Sequence, residues 1–84
     1  MDATGAGWRD EGAALVRDLG FADFPAAIAF VNRVAVVAED AGHHPDILIH
    51  GWNNVRLTLS THSAGAVTDA DHALAGRIDA LLGD

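Results

Sequence analysis

The sequence predicts an α+β fold, a four-stranded antiparallel sheet with helices packed on one face. Two observations carry this. Strand-like segments come in pairs, near residues 8–21 and 47–61, rather than alternating singly with helices. Each pair is followed by a stretch with helical periodicity and its own start signal, at Asp23 and at Thr68. The expected order is strand, strand, helix, strand, strand, helix.

Trp8, Arg9 and Asp10 read as a short first strand. From Ala13 the alternation of Ala13, Leu15, Arg17, Leu19 and Phe21 against Ala14, Val16 and Asp18 predicts a second, with the hairpin turning at Glu11 and Gly12. Asp23 is placed to cap a helix that has Pro25 in its first turn, where a missing N–H does no harm. That helix should run to about Asp40 and end at Gly42. Its expected core stripe is Phe24, Ala27, Val31, Val34, Ala35 and Ala38. Ala26, Ala29, Val36 and Val37 then form a second apolar face, which we read as an oligomer contact.

Ile47 to His50 and Val55 to Thr61 predict the second strand pair, joined by a turn at Gly51, Trp52, Asn53 and Asn54. Thr68 starts the last helix, with Asp71 in a capping-box-like position three residues later. Leu74, Ile78, Leu81 and Leu82 supply that helix's apolar stripe.

With 84 residues, the expectation is a single domain spanning 1–84. Half the residues are apolar and a fifth are charged, more hydrophobic side chains than so small a body easily hides, so self-association is expected. There is no cysteine, hence no disulfide framework and no thiolate metal site. A formal charge of −7 argues against nucleic-acid or anionic-membrane surfaces, which need clustered Lys and Arg. The beginning of the chain lacks a basic region followed by an apolar stretch, and no apolar run is long enough to cross a bilayer, so a cytoplasmic protein is expected. The bias toward Ala, Gly, Asp and Arg looks bacterial.

Five histidines concentrate the chemistry. His43 and His44 lead into the second strand pair and His62 ends it, and antiparallel pairing sets the start of one strand beside the end of the next. Glu39, four residues before His43, is positioned to orient an imidazole. Imidazole titrates near pH 6.5, so paired histidines supply a proton donor and a proton acceptor at neutral pH. Elimination of water needs such a pair: the hydroxyl must be protonated as it departs while a base takes the proton from the neighbouring atom.

Blander readings stand beside these. His43 and His44 could simply cap a helix C-terminus, and Asp71 could be only a cap of the last helix. His50 and His72 read as surface residues. Trp8, Phe21, Phe24 and Phe30 suit core or interface, and Asn53 with Asn54 suits a turn. A zinc site from Glu39, His43, His44 and His62 is the rival chemistry; adjacent histidines in extended chain point to opposite sides, which works against it.

The run Glu39, Asp40, Ala41, Gly42, His43, His44, Pro45, Asp46, followed by Trp52 and Asn53, Thr61 and His62, and Asp71, resembles the signature of the pterin-4a-carbinolamine dehydratase family in order and spacing. Phe21 to Phe24, Ala35 to Glu39, and Gly65 to Asp71 with Leu74, Ala75, Ile78 and Asp79 also look like that family, so nearly the whole chain is covered. The resemblance implies dehydration of 4a-hydroxytetrahydrobiopterin, or a related pterin, to the quinonoid dihydropterin, in recycling the pterin used by aromatic amino acid hydroxylases. It implies no metal and no cofactor. His43 and His62 correspond to acid/base residues and His44 to a substrate-orienting histidine. Glu39 and Asp71 correspond to supporting carboxylates, with Pro45 and Trp52 beside the substrate. Family members are dimers or tetramers, and some relatives act instead as transcription-factor dimerisation cofactors or as chaperones for a large carboxylase. They usually carry a helix before the strand bearing the equivalent of Trp8, whereas this chain begins almost at that tryptophan. The Pro45 to Trp52 gap is the longer of the family's two common variants.

Overall fold

A computed structural model of the chain describes residues 3–83. Its elements are β1 (Arg9–Asp10), β2 (Leu15–Gly20), α1 (Phe24–Ala41), β3 (Asp46–His50), β4 (Asn54–Leu59) and α2 (Asp69–Leu81). The strands form one antiparallel sheet in the order β1-β2-β4-β3, so β2 and β4 are central. The expected α+β architecture is present.

Register explains which face is covered. Leu15 lies opposite Leu59, Arg17 opposite Leu57 and Leu19 opposite Val55, so these six share one face, and all six are buried. The helices cover that face: Asp79 of α2 pairs with Arg17, and α1 packs against both α2 and β4. Phe30, Val34, Leu57, Leu59, Leu74 and Ile78 are fully buried, and Phe30 meets Phe21 with ring centroids 5.1 Å apart. Burial of such side chains contributes about 1.5–3 kcal/mol each. Asp79 also accepts the indole N–H of Trp8 at 2.8 Å, tying the chain ahead of β1 to the last helix.

The first hairpin differs from expectation at its turn. The Asp10 carboxylate accepts the Gly12 N–H at 2.9 Å and the Glu11 N–H donates to the Ala14 carbonyl at 2.9 Å, so residues 11–14 are used in turning. Hence β2 begins at Leu15 rather than Ala13, and the strand after Trp8 starts at Arg9. No helix precedes β1 among the described residues. Instead Thr4 exchanges two backbone hydrogen bonds with Gly20, each 2.8 Å, extending the edge along β2. Gly5 makes this approach feasible. Its φ is +134°, and a Cβ there would fall 2.3 Å from the Asp18 carbonyl oxygen.

In α1 the Asp23 side chain accepts the Ala26 N–H at 2.8 Å, as an N-cap does, and Pro25 occupies the first turn. The buried stripe is Ala27, Phe30, Val34 and Ala38. Two residues expected in it fall elsewhere, Phe24, which is 50% exposed, and Ala35, which is exposed, while Val31 packs partly buried against the core's edge. Each residue advances 100° around a helix, so a stripe through Phe30 turns Val31 and Ala35 toward the flank. Ala26 and Val37, expected on the outer face, are partly buried against the core, and the outer face is Phe24, Ala29, Ala35 and Val36, with Val36 70% exposed. No helix among the described residues is long and apolar enough to cross a membrane.

Candidate active site

Three chain reversals build one cleft. At the end of α1, Gly42 adopts the left-handed conformation (φ 64°) and the His43 N–H donates to the Ala38 carbonyl, which closes the helix and sends His43, His44 and Pro45 away from its axis. β3 then pairs with β4 so that Asp46 lies opposite Thr58. The chain leaving β4 therefore brings Ser60, Thr61 and His62 beside His43, His44 and Pro45. β4 ends at Leu59 rather than at Thr61, because the Thr61 N–H donates to Ala66 instead and the intervening residues form a turn. The cleft between these walls has a volume of about 400 Å³, within the range of small-molecule sites.

Asp71 anchors the cleft from behind. It stands in the first turn of α2 with no exposed surface, and each of its oxygens is used. The Nε2 of His43 lies 2.5 Å from Oδ1. The Thr61 hydroxyl and the Thr68 N–H both donate to Oδ2 at 2.8 Å. Burial alone would raise this carboxyl; the hydrogen bonds from His43, Thr68 and Thr61 outweigh it and hold Asp71 below the ordinary carboxylate range. Asp71 is thus a cap of α2 and a partner of His43 at once.

His44 takes a different partner. Its Nε2 donates to Glu39 at 2.8 Å, with both side chains largely exposed. The expectation that Glu39 orients His43 is corrected: α1 ends between them, so helical spacing no longer applies, and Glu39 pairs with His44 while His43 takes Asp71. His62 is exposed in the turn after β4 and lines the cleft.

Trp52 does not reach this cleft within the single chain. It sits at the tip of the β3–β4 hairpin, at the other end of β3, so the five residues of β3, Asp46–His50, put it roughly 16 Å away. It is 62% exposed, with φ 58°, a conformation uncommon for a bulky residue. His50 is also remote, beside Thr4, Asp18 and Arg56. No three His, Asp or Glu side chains among the described residues are grouped to hold a metal ion, so the rival arrangement of Glu39, His43, His44 and His62 is not formed. Thr61 and Thr68 join the site through Asp71, beyond the residues that the sequence singles out for it. Their contact with Asp71 joins a loop to a helix start, and spacing along the chain carries only the Thr68 half of it.

Residues 1–81 match the family model described as pterin 4 alpha carbinolamine dehydratase. A protein of Chloroflexus aurantiacus, provisionally named pterin-4-alpha-carbinolamine dehydratase, is 55% identical over 76 residues, 90% of this chain and 81% of that one. A similarly named protein of Nocardia farcinica is 54% identical, over 88% of this chain and 77% of its own. Among solved structures, a transcriptional coactivator/pterin dehydratase from Brucella melitensis superposes with a TM-score of 0.82 at 35% identity, over 93% of this chain and 84% of that one. A pterin dehydratase-like protein identified as a RuBisCO assembly factor in the alpha-carboxysome gives 0.77 at 30% identity, over 94% and 93%. The chain belongs to the pterin-4a-carbinolamine dehydratase family, a family of hydro-lyases.

Proposed function

We propose that this chain dehydrates a 4a-hydroxytetrahydropterin, 4a-hydroxytetrahydrobiopterin or a close relative, to the quinonoid dihydropterin and water. The observation that supports it is the grouping of His43, His44 and His62 around one cleft, with His43 backed by the buried Asp71. In the reaction the carbon–oxygen bond at C4a breaks and the hydroxyl takes a proton as it leaves. The neighbouring nitrogen gives up its proton to a base, and a double bond forms between the two ring atoms. His43 and His62 are the pair for these transfers, one donating and one accepting, while His44, oriented by Glu39, and Pro45 hold the substrate. No metal is required for this chemistry. The reaction would serve recycling of a pterin used by an aromatic amino acid hydroxylase in the cytoplasm.

The same reading takes residues 1–84 as one domain acting as a homodimer or homotetramer. What supports self-association is the outer face of α1, where Phe24 and Val36 stand half or more exposed.

The test follows the decay of freshly generated 4a-hydroxytetrahydropterin by stopped-flow absorbance, with and without chelator-treated protein. Acceleration that survives the chelator and disappears in the H43A/H62A double variant is expected. A folded, assembled protein that gives none overturns the reading. It would favour a second one, a binding or assembly protein on the same fold, which the likeness to the RuBisCO assembly factor supports.

A further inference from the structure

We propose that Thr61 and Thr68 are positioning residues for His43, holding it with its proton on Nε2 so that Nδ1 is the nitrogen left for proton exchange with the substrate. This deepens the dehydratase reading and rests on it.

The argument is one of donors and acceptors. An ionised carboxylate only accepts hydrogen bonds, so all three contacts of Asp71 have a fixed direction. The Thr61 hydroxyl donates to Oδ2, the Thr68 N–H donates to Oδ2, and the His43 Nε2–H donates to Oδ1. Thr61 has one hydroxyl proton and spends it on Asp71. Its 2.7 Å contact with the Thr68 hydroxyl must therefore run the other way, Thr68 donating and Thr61 accepting. The result is a directed chain from Thr68 through Thr61 to Asp71, meeting His43 from the opposite side. Two donors on Oδ2 fix the rotation of the carboxylate and leave Oδ1 to the imidazole. Asp71 is fully buried, so water does not substitute for a lost donor at little cost.

Neutral His43 in this arrangement accepts a proton only at Nδ1, and the imidazolium so formed faces a carboxylate that stabilises it. His44 lacks such backing, since its carboxylate partner Glu39 is 81% exposed. The histidines are thus differentiated by what lies behind them.

Thr61→Val removes the hydroxyl at nearly constant shape, and Thr61→Ser restores it. In the native protein the Nε2–H of His43, deshielded by its short hydrogen bond to Asp71 and protected by it from exchange, is expected as a downfield proton resonance in slow exchange with water. That resonance should persist in T61S and be lost in T61V, with kcat down about tenfold in T61V, KM little changed and T61S near native. Thr68→Val keeps the backbone donor while removing the hydroxyl, and should weaken the resonance without abolishing it; it serves if T61V does not fold. A resonance unchanged in folded T61V or T68V overturns the proposal whatever the rate. Absence of dehydratase activity in the native protein overturns the function instead and leaves the resonance to be judged by itself.

Discussion

Asp71 and His43 meet at 2.5 Å although 28 positions separate them, the one from the start of α2 and the other from just past the end of α1. Helix start and helix end thereby share one hydrogen bond. Replacing Asp71 with Asn removes the charge and sets an amide where two donors and an imidazole converge. D71N should lower kcat at least tenfold and destabilise the fold by about 1–3 kcal/mol, read from urea unfolding.

The same carboxylate shapes the response to acid. Asp71 is held below its ordinary range against the opposing effect of burial, and Asp18 is lowered chiefly by the hydrogen bond from Arg56. A group with a depressed folded pKa contributes stability above its unfolded pKa, roughly 3.9, and that contribution is lost as pH falls through the folded value. Urea midpoints should therefore be level near neutrality and fall below about pH 4, with a shallower acid limb in D71N.

Site assignment is checked by comparing histidines. His43→Ala and His62→Ala should each cost more activity than His50→Ala, because His50 borders a separate groove at the far end of β3. Equal losses in all three, with circular dichroism unchanged, would refute the assignment.

At the amino end, Gly5→Ala forces a Cβ onto the Asp18 carbonyl at a positive φ, whereas Gly7 has nothing within 4 Å of such an atom. G5A should lower stability by about 1–3 kcal/mol and G7A should be near neutral in thermal unfolding.

Charge on the outer face of α1 tests assembly. Val36→Asp adds a carboxylate where the side chain is 70% exposed, so the monomer fold should survive. Sedimentation should show a smaller species than for the native chain; an unchanged species would place the contact elsewhere.

Much of this was legible beforehand because caps and pairings are local. Asp23 with Pro25 and Thr68 with Asp71 located both helix starts, and Gly42 located the end of α1. The buried stripe of α1 was not, since its positions are apolar almost all round and only packing decides which of Phe24 and Phe30 enters the core. Convergence of His43, His44 and His62 followed from antiparallel order. The partner of each did not: Glu39 stands nearer to His43 in sequence, and the helix end between them hands it to His44. Trp52 shows the limit of motif spacing, which records company in sequence and not distance across a hairpin.

Every residue lining the histidine cleft, together with Asp71 behind it, comes from one uninterrupted stretch of chain beginning at the end of α1. The hairpin of β1 and β2 supplies none of them. Labour is thus divided along the polypeptide: the first two strands are a platform whose turn at residues 11–14 could be lengthened or cut without touching the chemistry, while the segments that wall the cleft and reach Asp71 admit no such liberty.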